Sequence, residues 1–243
     1  MERVDGLEIF SNDGVYEAVI DRGEGNLFTA AMCDALAACL TEPPLGAHLL
    51  RLRAKGPIFC LGRERTAVGE RALRKETEAL IRLNEAIRSS PLITVAEIQG
   101  NAAGYGVGLA ALCDIAIAAP STQFRFPEVD MGLAPSIVLA WLGPMVGRKQ
   151  ALLLTATGEA VDARRAAEIG LITEVTADDE SLSASVDARI NALRTRSQAV
   201  HRDIKGFLTM SSGMPPSTLN SFAAEKLINA SLSLQQEDIT SQQ

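Results

Sequence analysis

Three short stretches of this chain carry residue types that can do chemistry together. Glu128 closes the run Phe124-Arg125-Phe126-Pro127-Glu128, downstream of the glycine-rich turn Gly104-Tyr105-Gly106-Val107-Gly108. The turn leads from a strand into a helix, and the first N–H groups of a helix have no partner within it. With the helix dipole they can face a developing negative charge, while a nearby carboxylate moves a proton. That combination suits chemistry next to a carbonyl. The third stretch, Gly56 to Glu64, ends a strand at Gly62, whose backbone freedom can leave the Arg63 N–H unpaired. Each has a plainer reading: an ordinary strand exit at Gly62, close helix packing on small residues at Gly104–Gly108, an exposed loop glutamate at Glu128. If Phe124, Phe126 and Val129 surround Glu128 with apolar groups, burial raises its pKa toward neutrality.

Other chemistries fit less well. Dinucleotide binding needs a third glycine, and Leu109 stands in that place with no ribose-binding acid at the usual distance. No GxSxG is present, and His48 and His201 lie outside all three stretches, against a serine hydrolase.

The surrounding pattern is α/β. Leu7–Phe10 and Val15–Ile20 read as a hairpin about Asn12-Asp13-Gly14. Thr29 caps a helix over Ala30–Leu40, ended by Pro43-Pro44. Leu49–Leu52 is a short strand, Arg71–Arg88 an amphipathic helix, Leu92–Ile98 a buried strand. Gly104–Leu112 is a nearly uncharged helix, hence buried all round, and Ile115–Ala118 a further strand. Asp162 caps Ala163–Ile169, Gly170 closes it, and Leu171–Val175 is a strand. From about residue 178 the pattern is helical to near 232, and the polar tail Gln235–Gln243 is expected to fray. The division is an α/β core over residues 1–175 and a helical region over 176–243.

Composition narrows the partners. The 243 residues are 47% hydrophobic and carry a net charge of −7, which permits a sizeable core and argues against nucleic acid and anionic membranes. No signal segment or membrane span is visible, so a cytoplasmic location is expected. The four cysteines, Cys33, Cys39, Cys60 and Cys113, lack CxxC spacing and read as free, mostly buried thiols; no metal site is expected.

Together the three stretches resemble the enoyl-CoA hydratase/isomerase, or crotonase, family over roughly residues 5–230. Phe59-Cys60-Leu61-Gly62-Arg63 is similar to its F-x-A-G-x segment, and Gly100 to Asp114 to its N-G-x-A-x-G-G-G-x-x-L-A-x-x-C-D segment. Gln123 to Val129 with Gly132-Leu133-Ala134-Pro135 is similar to F-x-x-P-E-x-x-x-G-L-x-P, and Leu154–Val175 to the segment that follows. The resemblance implies a spiral of ββα turns with a helical C-terminal region that forms trimers or dimers of trimers. It implies an acyl-CoA thioester as substrate, with no separate cofactor. The Arg63 and Tyr105 N–H groups would form the oxyanion hole and Glu128 would be the acid/base. Gly62, Arg65, Gly104, Gly106, Gly108 and Ser136 would contact the substrate or its CoA, with Arg63 and Arg65 near the phosphates.

Several positions depart from the family pattern. Tyr105 replaces a usual glycine and brings a phenol to the pocket. Gly108 stands where hydratases carry their first glutamate, leaving space opposite Glu128. Ser136 stands where dienoyl isomerases and aryl-CoA dehalogenases carry a carboxylate. One glutamate is the monoenoyl-CoA isomerase pattern, although some hydratases share it. The alternatives are decarboxylation of an acyl-CoA, with Tyr105 or Ser136 orienting the carboxylate, and acyl-CoA binding without turnover. Leu73, Leu80 and Leu83 suggest an apolar pocket wall.

Overall fold

A computed structural model of the chain describes residues 2–43, 45–211 and 213–241. Two compact units divide it, Met1–Arg202 and Asp203–Gln243. The first unit is built from two sheets that the chain visits alternately. Strands β1 (Glu2–Val4), β2 (Leu7–Asn12) and β3 (Val15–Ile20) form an antiparallel meander. The loop after it leads to helix α1 (Ala30–Thr41), where the Thr29 hydroxyl accepts from Met32 N–H at 3.1 Å, the expected cap. Pro43 follows the helix; Pro44 lies outside the described residues.

From there the chain repeats one unit three times. β4 (Leu49–Ala54) is followed by β5 (Ile58–Cys60) and α2 (Glu70–Ser89). Next come β6 (Ile93–Ile98), β7 (Asn101–Ala103) and α3 (Tyr105–Ala111). Last come β8 (Ile115–Ala118), β9 (Gln123–Arg125) and a 3₁₀ turn over Pro127–Met131. The first strand of each unit joins the large sheet, ordered β1-β2-β3-β4-β6-β8, where β3, β4, β6 and β8 pair in parallel. The second strand joins a small sheet in which β5, β7 and β9 also run parallel. This is the expected spiral of ββα turns.

Helices α4 (Ser136–Val146) and α5 (Arg148–Thr157) follow, then β10 (Val161–Asp162), α6 (Ala163–Glu168) and β11 (Glu174–Val175). Neither α4 nor α5 was expected. The Asp162 cap on α6 is present, its Oδ1 accepting from Arg165 N–H at 2.7 Å. The strand expected from Leu171 is shorter. The Leu171 and Ile172 N–H groups both turn back to the Ala166 carbonyl, so only Glu174 and Val175 are left to pair with β8. Helices α7 (Leu182–Arg194), α8 (Gln198–Ser211) and α9 (Pro216–Ser241) complete the chain. The tail expected to fray from Gln235 is helical to Ser241; residues 242 and 243 lie outside the described set. In the second unit, Phe207 and Phe222 stack with ring centroids 5.1 Å apart.

One face of the large sheet, with α1, α2 and α3 and the small sheet, encloses the main core around Leu36, Leu52, Phe59, Ile98 and Phe124. The other face is covered by α7, whose Leu182, Val186 and Ile190 pack on Leu49, Val95 and Ile117. α3 is buried at every residue, as its lack of charge predicts. All four cysteines are thiols outside any disulfide, and only Cys39 is not buried. Burial pushes the Cys33 and Cys60 thiols up to about 12.

The α7-covered face also carries a buried ionic network. Arg51 on β4 donates to Glu97 on β6 at 2.5 Å and to Asp187 on α7 at 2.8 Å, and lies 3.5 Å from Glu17 on β3. Burial works against its charge, yet Glu97, Glu17 and Asp187 together raise its pKa. A buried charge stripped of its partner costs far more than the pair is worth. Arg51→Ala is therefore expected to lower stability by about 3–5 kcal/mol, readable as a lower urea midpoint.

Candidate active site

The small sheet decides where the three chemistry-bearing stretches meet. Ala102 pairs with Phe124 and Ala103 with Arg125, in parallel, and the Gly104 N–H donates to the Arg125 carbonyl at 2.9 Å. β5 lies on the other side of β7 in the same direction. The chain therefore leaves β5 at Gly62-Arg63, β7 at Gly104-Tyr105 and β9 at Pro127-Glu128 along one edge, at the carboxyl ends of adjacent parallel strands. A cleft at such ends is the usual ligand position in parallel sheets. A cavity of about 610 Å³ opens there.

Two residues of its wall, Arg63 and Tyr105, have backbone N–H groups with no backbone acceptor among the described residues. In the bridge between Phe28 and Arg63, Phe28 N–H donates to the Gly62 carbonyl and Glu64 N–H to the Phe28 carbonyl, each at 2.9 Å. Both bonds skip the Arg63 N–H, which has no backbone acceptor among the described residues. Gly62 makes this possible with φ of +123°, lying against the Ala103 carbonyl. The Tyr105 N–H opens α3 and likewise has no backbone acceptor among the described residues.

Glu128 reaches the same place. Its turn is closed by Gly132 at φ +69°, with Leu133 N–H donating to the Glu128 carbonyl at 3.0 Å. Arg125 braces the turn from below, donating to Asp130 and to the Gly158 carbonyl, both at 2.5 Å. The Glu128 carboxylate sits over Gly104: a Cβ there would lie 2.8 Å from Oε1. The other oxygen, Oε2, is buried and accepts no hydrogen bond among the described residues. The apolar cage expected around it is only partial. Phe124 and Phe126 point into the core, Val129 is partly exposed, and Glu128 itself is half-buried.

The cavity also gathers Gly62, Arg65 and Ser136 from the expected set. Gly106 and Gly108 do not line it. A Cβ on Gly106 would overlap the Cys60 carbonyl, so this glycine lets α3 lie directly on β5. A Cβ on Gly108 would meet the Trp141 ring at 3.3 Å. The space expected at Gly108 is thus taken by an indole that is only 6% exposed.

The Tyr105 phenol does not project into the cavity as a free group. Its hydroxyl donates to the Leu80 carbonyl at 3.1 Å, and burial raises its pKa well above the usual range. Arg63 turns its guanidinium to Glu76 on α2, and burial lowers its pKa, with Arg65 adding repulsion and Glu128 opposing. Arg65 stays on the rim, its guanidinium 3.0 Å from the Met131 sulfur. Of the three leucines expected in the wall, Leu80 lines the cavity, Leu83 is in the core and Leu73 faces solvent.

Residues not foreseen complete the walls: Thr77, Met131, Leu133 and the first turn of α4 with Ile137 and Val138. The absence of any charge from Ser136 to Val146 was the available sign of that helix, which buries Val138, Trp141, Leu142 and Val146.

Comparison with known proteins agrees with this geometry. The family model Enoyl-CoA hydratase/isomerase matches residues 7–235. The chain belongs to the enoyl-CoA hydratase/isomerase family. It is similar to the enoyl-CoA hydratase ACTT6 of Alternaria alternata, 30% identical over 79% of this chain and 65% of that protein. It is also similar to the enoyl-CoA isomerase/hydratase fer4 of Mycosarcoma maydis, 34% identical over 67% of this chain and 65% of that protein. The match thus spans somewhat under two thirds of these relatives. Among solved structures, an enoyl-CoA hydratase/isomerase family protein from Silicibacter pomeroyi superposes with a TM-score of 0.88, covering 93% of this chain and 98% of that one at 25% identity. No helix among the described residues is long and apolar enough to cross a membrane.

The two crotonase-motif glycines are expected to differ in cost. Gly106→Ala meets backbone that cannot move and should abolish folding or destabilise severely. Gly104→Ala, at φ +52°, meets a carboxylate that can swing away, and should cost only about 1–3 kcal/mol. Denaturant unfolding of both variants checks the order.

Proposed function

We propose that the protein is an acyl-CoA enzyme of isomerase type, moving the double bond of a β,γ-enoyl-CoA into conjugation with the thioester. The observation that carries this reading is the Glu128 carboxylate beside two amides with no backbone acceptor among the described residues; the other carboxylate in the wall, Asp130, is held by Arg125, and Trp141 stands against Gly108. The family and the enoyl-CoA names of its relatives support the enoyl-CoA substrate class.

In this mechanism the thioester oxygen accepts from the Arg63 and Tyr105 N–H groups. Glu128 removes a proton from the α-carbon. The C–H electrons move into the thioester, giving a dienolate whose negative oxygen is held by the two amides and by the end of the α3 dipole. The protonated Glu128 then returns the proton to the γ-carbon, and the electrons collapse into an α,β double bond. One base serves both steps, and nothing is gained or lost overall. Loss of one such donor typically costs about 3–4 kcal/mol in the transition state.

Hydration calls for a second acid to hold the water with Glu128, and neither Gly108 nor the Trp141 ring against it supplies one. CoA phosphates would be met by Arg65 at the rim, since Arg63 is committed to Glu76. A homotrimer or a dimer of trimers is part of this reading; the exposed Leu152 and Leu153 of α5 are apolar positions that such a contact would cover.

Glu128→Gln keeps the shape and removes the base. It is expected to bind acyl-CoA in calorimetry while the rise in conjugated-enoyl absorbance from a β,γ-enoyl-CoA falls by at least about 10³-fold. Retention of most of that activity would assign the proton transfer elsewhere. A second prediction concerns water: wild-type enzyme given an α,β-enoyl-CoA should show little loss of that absorbance. The pair Gly108→Glu with Trp141→Ala, which frees the space and supplies a second carboxylate, should hydrate it measurably faster.

A further inference from the structure

We propose that Asn26 and Arg22 are positioning residues for the reaction: they hold Phe28 in the place from which its N–H aims the Arg63 N–H at the thioester oxygen. The inference rests on the thioester reading above. The two donors of that reading differ in how they are fixed. The Tyr105 N–H shares a peptide with the Gly104 carbonyl, which accepts from Val107 N–H at 3.1 Å in the first turn of α3. That donor is aimed by its own helix. The Arg63 N–H shares a peptide with the Gly62 carbonyl, whose partner at 2.9 Å is Phe28 N–H, in the loop between β3 and α1. A planar trans peptide points its carbonyl and its N–H in opposite directions. By holding the carbonyl, Phe28 sends the N–H to the side away from the loop, and Arg63 is a wall residue of the cavity. An accepting carbonyl also polarises its peptide and makes the N–H a stronger donor.

Phe28 is held in turn by polar side chains of the same loop. Asn26 is almost wholly buried and has φ of +47°. Its Oδ1 accepts from Arg22 N–H at 2.8 Å, and its Nδ2 donates to the Lys55 carbonyl at 3.0 Å and the Ile58 carbonyl at 2.7 Å. One amide therefore closes the loop and ties it to the start of β5, the strand whose exit carries Arg63. The Arg22 guanidinium adds two ties, to the Leu27 carbonyl at 3.2 Å and to the Glu64 carboxylate at 2.6 Å. These are the residues just before Phe28 and just after Arg63. The Gly25 carbonyl accepts from Leu61 N–H at 2.9 Å, so residues 25–28 run beside residues 61–64. The Phe28 ring also lies beside the Tyr105 ring, with centroids 6.5 Å apart, so one residue meets both halves of the proposed oxyanion hole.

The test uses butanoyl-CoA labelled with carbon-13 at the thioester carbonyl, whose infrared stretch moves to lower frequency as that oxygen accepts hydrogen bonds. Asn26→Gly removes the three side-chain bonds and tolerates the positive φ. Arg22→Met removes the guanidinium and keeps the stem that lies against Gly6. In the wild-type protein the stretch should fall on binding. In both variants, saturated with ligand, the fall should be smaller. With a β,γ-enoyl-CoA, kcat should drop about 10²-fold in Asn26→Gly, the scale of one misplaced group, and about 10-fold in Arg22→Met, with KM within about threefold of wild type. If the folded variants keep the wild-type stretch, or lose affinity or turnover with no change in it, both residues serve only the fold: the inference is overturned and the thioester reading stands. Should Asn26→Gly not fold, Arg22→Met decides by the same readings. If butanoyl-CoA does not bind the wild-type protein, or binds with no fall in the stretch, the thioester reading fails and this inference with it.

Discussion

The site depends on the alignment of three strands only three residues long. β5, β7 and β9 pair in parallel, and their carboxyl ends bring Arg63, Tyr105 and Glu128 to one edge. Ladders this short contribute few hydrogen bonds. Their register is held instead by contacts closer than any side chain allows. A Cβ on Gly100 would overlap the Pro57 carbonyl, and one on Gly106 would overlap the Cys60 carbonyl. The backbone of the second spiral unit thus rests directly on that of the first at two places. A displacement of even an ångström at a reacting centre can cost about two orders of magnitude in rate. Glycine at these two places sets the distance between chemical groups that lie elsewhere in the chain.

The two sheets divide the work. The large sheet is long-stranded, packed on both faces and pinned by the Arg51 network, and it supplies the rigid frame. The small sheet adds Phe59 and Phe124 to the core, and every candidate group departs from it. Charge follows the same division. The Arg63 guanidinium and the Tyr105 hydroxyl are turned away, to Glu76 and to the Leu80 carbonyl. What remains at the cavity is backbone, mostly apolar side chains, the Glu128 carboxylate, and at the rim Arg65 and the Asp130 carboxylate that Arg125 holds. Electrostatic interactions are stronger in such surroundings than in water.

Much of this was legible in the chain itself, for identifiable reasons. Strands of the large sheet carry long apolar runs, such as Ile93–Ile98, and α3 has no charge, so their burial could be read directly. The candidate site was legible because its glycines and the Pro127-Glu128 pair sit in ordered segments resembling a known family. Of the small sheet only the strand ending at Gly62 was read; β7 and β9 were not, since three residues show no periodicity. The helices α4 and α5 were missed because Pro144 and a mixed pattern hide them. The role of Trp141 could not be read at all. Its contact with Gly108 joins positions far apart in sequence, and only the packing of α4 on α3 brings them together. The same contact changed the meaning of Gly108 from a gap to a filled place.

The unpaired amides at residues 63 and 105 carry a consequence for how this protein can be dissected. Each residue is split between two tasks. Its main chain faces the cavity, and its side chain ties α2 to the core, Arg63 through Glu76 and Tyr105 through Leu80. Scanning these positions with alanine would measure the anchorage of α2 and leave both N–H groups in place. These N–H groups are out of reach of ordinary codon changes; only replacing the amide by an ester, atom for atom, would separate the role proposed for the main chain from the anchorage given by the side chain.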